Sequence, residues 1–202
     1  MTQTQLSRGG GGFIIIQDDE EAALALPRSY GIDDIPLALT SVKFDGANVI
    51  NVADAYGDHL LANGVMNAQA VLPAQLVRFR ILNAEVERWY FIGFSDNRPF
   101  HVIGSDGGLL NAPVEVTRLK MVPGERYEIV VDLGDDAVGS TLQMRSFGAG
   151  QIFGVGGSEP AQTGEFGSVL NNIDFDVLDI VVAEPTADGV LALPATLSAE
   201  TV

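Results

Sequence analysis

The side chains able to bind a metal strongly are few: His59 and His101, 42 positions apart, and no cysteine anywhere in the 202 residues. A mononuclear redox-copper centre needs two imidazoles and a thiolate, commonly with a weak thioether at the axial position. The thiolate is missing. A catalytic zinc could use both histidines and a carboxylate, but neither belongs to an H-x-H or H-E-x-x-H pattern. His101, between Phe100 and Val102, reads as a hydrogen-bonded structural imidazole of a strand. His59 follows Gly57-Asp58 and reads as a surface-turn residue; with Met66 or an acid it could hold a soft metal ion. His59, Met66 and His101 are therefore the metal-ligand candidates, and no catalytic or cofactor-binding residue is assigned.

Other chemistries find less. There is no thiol nucleophile and no G-x-S-x-G elbow. Gly104-Ser105-Asp106-Gly107-Gly108 lacks the lysine and following helix of a phosphate loop and is expected to be a tight turn. Glu85 and Glu87 read as solvated carboxylates. Arg78, Arg80 and Arg88 could form surface ion pairs, worth about 0–1 kcal/mol each, or line an interface. The formal charge of −16, from 27 acidic and 11 basic residues, would repel a phosphate backbone or an anionic membrane surface. Nucleic acid is excluded as an expected partner, and so is membrane insertion, since no stretch reaches the roughly 20 apolar residues of a span. Residues 1–12 contain no apolar signal region.

The elements that must position these residues are strands. With 23 glycines, 47% apolar residues and weak helical periodicity, the sequence points to short strands joined by tight turns. Phe13-Ile14-Ile15-Ile16 after four glycines reads as a buried strand of a sheet this chain does not contain, expected here to be disordered or to pair with another molecule, and is followed by an acidic connector over 17–34. A strand is expected over 36–44. Asn63-Gly64, between Leu60-Leu61-Ala62 and Val65-Met66, predicts a type I′ hairpin. Over 76–82, Val77, Phe79 and Ile81 alternate with Arg78 and Arg80, the pattern of a half-buried antiparallel strand. Further strands are expected over 88–94, 99–103, 127–133, 142–147 and 175–182. Between the last two, 148–172 is a glycine-rich loop long enough to suggest function or disorder. About eight strands at this spacing specify an all-β sandwich or barrel, with the topology left open.

Four stretches taken together resemble the central domain of the laccase-like multicopper oxidases. They are Asp33-Asp-Ile-Pro-Leu37; Leu61-Ala-Asn-Gly-Val-Met-Asn67 with Val71-Leu-Pro-Ala74 and Val77-Arg-Phe-Arg-Ile-Leu-Asn83 plus Arg88; the run Ser95 to Leu110; and Val122-Pro-Gly-Glu-Arg-Tyr-Glu-Ile-Val-Val-Asp132. Gln69 departs from the pattern, which has a proline after the hairpin. The resemblance implies a cupredoxin-like Greek-key sandwich. It further implies three segments: 1–34, the last strand of a preceding cupredoxin domain and a connector; 35–184, the central domain; and 185–202, a linker toward a following domain. In such a family the copper ions sit in the outer domains, so copper belongs to the parent and none is expected on this chain. The implied role is spacer and substrate-pocket wall for a parent that oxidises phenols or metal ions and reduces dioxygen to water. A non-enzymatic scaffold or interaction module, or a copper carrier, are the alternatives. Expected partners are flanking cupredoxin domains or a second copy joined through Phe13–Ile16, giving a homo-oligomer. The implied location is extracytoplasmic, periplasmic or secreted.

Overall fold

The computed structural model describes residues 2–159 and 162–198. Eleven strands form two sheets, β1 (Asp34–Val42), β2 (His59–Ala62), β3 (Gln69–Pro73), β4 (Leu76–Asn83), β5 (Tyr90–Phe94), β6 (Phe100–Ser105), β7 (Gly108–Val116), β8 (Leu119–Met121), β9 (Arg126–Asp132), β10 (Thr141–Phe147) and β11 (Asp174–Ala183). The six-stranded sheet runs β2-β1-β4-β9-β6-β7 and the five-stranded sheet β3-β11-β10-β5-β8. Most neighbours are antiparallel; β1 with β4 and β3 with β11 are the parallel pairs. Among the described residues the helical content is two short helices, α1 (Gln3–Ser7) and α2 (Asp19–Ala22), and one 3₁₀ turn at Gly164–Phe166. The chain is an all-β, cupredoxin-like sandwich.

The period-two pattern explains the main core. Val77, Phe79 and Ile81 of β4 face inward with Ile129 and Val131 of β9, and meet Tyr90, Ile92, Phe94, Met144 and Ile180 of the other sheet. Phe94 and Phe100 touch edge to face at 5.6 Å, a favoured arrangement for aromatic quadrupoles.

The opposite face of β4 corrects the expectation of a half-buried strand. Arg78 is 1% exposed and Arg80 is also buried. A second apolar cluster explains why: Leu26 of the connector and Leu197 of the C-terminal segment pack on Leu76, Ile103 and Val130. Connector and tail thus cover the outer face of the six-stranded sheet. Gln75 ties them together, donating to Asp33 at 2.9 Å and accepting from the Thr186 backbone at 2.9 Å. Beneath that cover, Arg78 donates to Glu21 at 2.7 Å and to Glu128, while Arg80 grips Asp34 at 2.8 and 2.9 Å and Glu128 at 2.7 Å. Burial pushes the Glu21 carboxyl up, but the bond and charge of Arg78 outweigh it and hold the pKa below the usual range. These are buried ion pairs, not the surface pairs anticipated.

Phe13–Ile16 is without a partner strand among the described residues. The segment is not a strand of either sheet, and Ile14 and Ile16 are 93% and 82% exposed. Four β-branched or aromatic residues favour extended backbone, but within the described residues no ladder engages them.

Candidate functional site

Asn63 and Gly64 both take positive φ, 52° and 80°, and the Ala62 and Val65 backbones exchange two 3.0 Å hydrogen bonds around them. The type I′ turn is therefore present. Its second arm makes only the Ala62–Val65 bridge, and β2 ladders with β1 instead. Asn63 reinforces that pairing, accepting from Ala38 N–H at 2.8 Å and donating to the Pro36 carbonyl at 2.9 Å. The turn delivers His59 and Met66 to the lining of one cleft of about 330 Å³, with Asp58, Leu170, Asp176 and Asp179 among its other walls. The two sequence candidates are thus brought together. Two of the acids around them are engaged elsewhere: Asp58 accepts the Val169 N–H at 3.0 Å and Asp176 pairs with Arg145 at 2.7 Å. The His59 ring lies 5.6 Å from that of Phe44.

His101 lies far from this cleft. It sits on β6, whereas His59 is on β2, four strand steps away across the sheet. At about 4.8 Å per step the separation is on the order of 19 Å, too great for one ion to bridge. Its Nε2 lies 3.8 Å from a Glu115 carboxylate oxygen on β7, a partly exposed contact. Among the described residues no group of three His, Cys, Asp or Glu could hold a metal ion. The donor set does not fit copper of the family's redox types: it offers no sulfur anion, and its imidazoles are dispersed.

The built polar centre of the molecule is one that sequence reasoning missed. Glu85, expected to be solvated, is buried. Tyr90 O–H donates to its carboxylate at 2.5 Å. Burial pushes the Glu85 carboxyl up, against the opposing pull of Tyr90 and the Arg88 charge, and burial beside Glu85 pushes the Tyr90 phenol well up. Arg88, also fully buried, donates to the Leu170 carbonyl at 3.1 Å, Asn171 at 3.0 Å and the Gly57 carbonyl at 3.4 Å. Its guanidinium stacks 5.0 Å from the Tyr56 ring. Asn171 then donates to the Phe166 carbonyl at 2.9 Å, and Ser168 to that of Gly57 at 2.6 Å. Arg88 thus fastens the 148–172 loop and the 43–58 segment to the end of the sandwich. No sequence pattern marks this role; Arg88, expected to form a surface ion pair or line an interface, belongs to the family-like run, but its bonds go to carbonyls and Asn171.

The close approach needs small residues. A Cβ on Gly57 would lie 2.3 Å from Val42 N, and one on Gly156 would lie 2.1 Å from the Glu87 carbonyl oxygen. The long loop is therefore irregular but fastened.

The multicopper oxidase family profile matches residues 30–144. The cell division protein FtsP of Rahnella sp. (strain Y9602) is 41% identical over 115 residues, covering 54% of this chain and 24% of that protein. FtsP of Escherichia coli (strain K12) is 39% identical over 118 residues, covering 56% and 25%. The match spans about a quarter of the length of these relatives. Among solved structures, the McoA multicopper oxidase of the hyperthermophile Aquifex aeolicus superposes with a TM-score of 0.78 at 31% identity, covering 95% of this chain and 40% of that one. The laccase-like multicopper oxidase CueO from the lignin-degrading Ochrobactrum sp. gives a TM-score of 0.71 at 29% identity, covering 92% and 38%. With more than half of its length inside the family match and a two-sheet cupredoxin-like fold, this chain belongs to the multicopper oxidase family as a laccase-like domain.

Proposed function

We propose that the chain serves as a copper-free central domain of a multicopper oxidase, a spacer between copper-bearing domains and one wall of the substrate pocket. The observation that supports it most is the donor set: two histidines on strands four steps apart and no cysteine, in a fold that packs its core without metal. In this reading residues 1–34 are the end of a preceding domain and a connector, 35–184 the central domain and 185–202 a linker. Phe13–Ile16 then pairs with a flanking domain or a second copy. The parent would oxidise phenols or metal ions outside the cytoplasm and reduce dioxygen. The inner side of the 148–172 loop, fixed by Arg88, supplies the pocket wall.

The test is spectroscopic. Purified chain titrated with Cu(II) is expected to show no intense visible thiolate-to-copper band and no oxidation of a phenolic dye. A blue band or turnover by this chain alone would overturn the assignment. A second reading, a non-enzymatic scaffold, is favoured by the identity to proteins named for cell division. H-x-H and H-C-H motifs elsewhere in the encoded polypeptide would support the enzyme, and their absence the scaffold. A copper carrier built on His59 and Met66 would bind Cu(I) in calorimetry and lose that binding in His59→Ala.

A further inference from the structure

One buried side chain holds both the segment that enters the sandwich and the segment that leaves it. Gln75 lies between β3 and β4, 2% exposed. Its backbone is fixed on both sides: the N–H donates to the Pro73 carbonyl at 2.8 Å, and the carbonyl accepts from Leu133 N–H at 3.0 Å. Its amide nitrogen donates to Asp33 Oδ2 at 2.9 Å, and its amide oxygen accepts from Thr186 N–H at 2.9 Å and Thr186 Oγ1 at 3.0 Å. Asp33, also buried, uses its other oxygen to accept Ser29 N–H at 2.7 Å. A relay thus runs from connector to tail through Ser29, Asp33, Gln75 and Thr186. A flipped amide would turn its oxygen toward Asp33 and a donor toward the Thr186 N–H, so one orientation serves both segments and the other serves neither.

The apolar contacts are shared in the same way. Leu26 of the connector and Leu197 of the tail belong to one cluster on Leu76, Ile103 and Val130, so lifting either segment uncovers apolar surface that the other needs. Gly189 of the tail passes so close to the relay that a Cβ there would lie 2.5 Å from the Gln75 amide oxygen. The main core, with Phe79, Ile81 and Ile92, is a separate cluster on the other face of β4.

We propose that residues 21–33 and 186–197 are two halves of one strap, which docks on the six-stranded sheet and lifts from it as a single cooperative unit while the main core stays folded. Gln75 is its pin. Opening brings water to Arg78, because Glu21 leaves with the connector. The packing of this chain carries the inference for spacer and scaffold alike; where domains are joined at both ends, their two attachment segments move together.

Native-state hydrogen exchange of the full chain, followed by NMR at low urea, tests it. The Ser29, Thr186 and Leu197 amides report the strap, and the ladder between β4 and β9 reports the core. The strap amides are expected to share one opening free energy and a shallower urea dependence than the core. Leu197→Ala changes the tail alone, yet Ser29 should exchange faster by the same factor as Thr186, about tenfold or more. Gln75→Met keeps much of the side-chain volume and loses the amide bonds; both segments should speed up about tenfold. Ile92→Val weakens the closed and strap-open states equally, so core amides should accelerate about twofold or more and strap amides should hold their rates. Acceleration confined to the tail in Leu197→Ala would overturn the proposal, since the segments would then open separately. Strap amides that speed up with the core in Ile92→Val would overturn it too, because the cover would be lost only with the whole fold. An unchanged Ser29 rate in Gln75→Met would remove Gln75 as the pin.

Discussion

Replacing Asp34 by asparagine should be among the costliest near-isosteric changes in the molecule. Asp34 sits at the start of β1, buried, and holds the Arg80 guanidinium by bonds of 2.8 and 2.9 Å. The connector and tail lie over that face, so the pair has little access to water. Asparagine keeps the volume but removes the charge, and it turns an amide toward the cation. Breaking one side of a buried pair costs about 3–5 kcal/mol. Arg80 retains Glu128 at 2.7 Å, which places the cost near the lower end, about 3 kcal/mol. For a chain of this size that lowers the melting temperature by about 6–12 °C. Removing both partners tests the physics behind the number. Asp34→Leu with Arg80→Met eliminates the buried charges together, and Glu128 still has Arg78, so the double variant should recover most of the loss. The assay is thermal and urea unfolding followed by circular dichroism. A cost below about 1 kcal/mol for Asp34→Asn, the value of a surface pair, would refute the buried network. A double variant as unstable as the single one would refute the argument from uncompensated charge.

Three further outcomes follow from the polar centre and its surroundings. Burial raises the folded-state pKa of Glu85 above its ordinary 4.5, so its contribution to stability is fully present below the unfolded value and lost as pH rises through the folded one; urea titrations should show Glu85→Gln gaining on the parent as pH increases, and a constant difference would contradict this. Gly57→Ala drives a methyl group into the Val42 backbone and should cost about 1–3 kcal/mol or more, measured as a lowered urea midpoint; an unchanged midpoint would show that the segment is not packed there. Arg88→Met removes the bonds to Leu170, Asn171 and Gly57, so limited proteolysis should cut within 148–159 faster than in the parent while the sandwich stays intact, and equal protection would mean that Arg88 does not secure the loop.

What covers a strand decides how far its sequence reveals it. β1, β4, β9, β10 and β11 were legible because their inward residues alternate or run unbroken and are bounded by turn residues. β3, β7 and β8 were not read as strands. Each is an edge strand, and β7 carries Asn111 and Pro113, which an edge tolerates because one side of its backbone needs no partner. On β4 the period was right but the burial wrong, since alternation reports two faces and says nothing of a connector folded over one of them. The arginines could be buried only because Glu21, Asp34 and Glu128 arrive from three separate segments. Phe13–Ile16 stands apart: apolar composition favours a strand, but a strand needs an edge to join, and among the described residues it has none. The candidate site shows the same limit. Asn63-Gly64 fixed its own turn and so placed His59 and Met66 in one cleft, whereas the Glu85–Tyr90 contact and the Arg88 clamp depend on long-range packing that no local pattern announces.

Fold and copper chemistry are separable in this chain, and the packing shows why. The inner core closes through aliphatic and aromatic side chains of both sheets, with neither histidine among its buried members. The outer face of the six-stranded sheet closes through apolar contacts and buried ion pairs supplied by the connector and tail. The end of the sandwich, where a loop could otherwise have served a metal, closes through Arg88, Asn171 and the backbone carbonyls they engage. The inner core and the outer face of the six-stranded sheet are thus closed by side chains other than the two histidines.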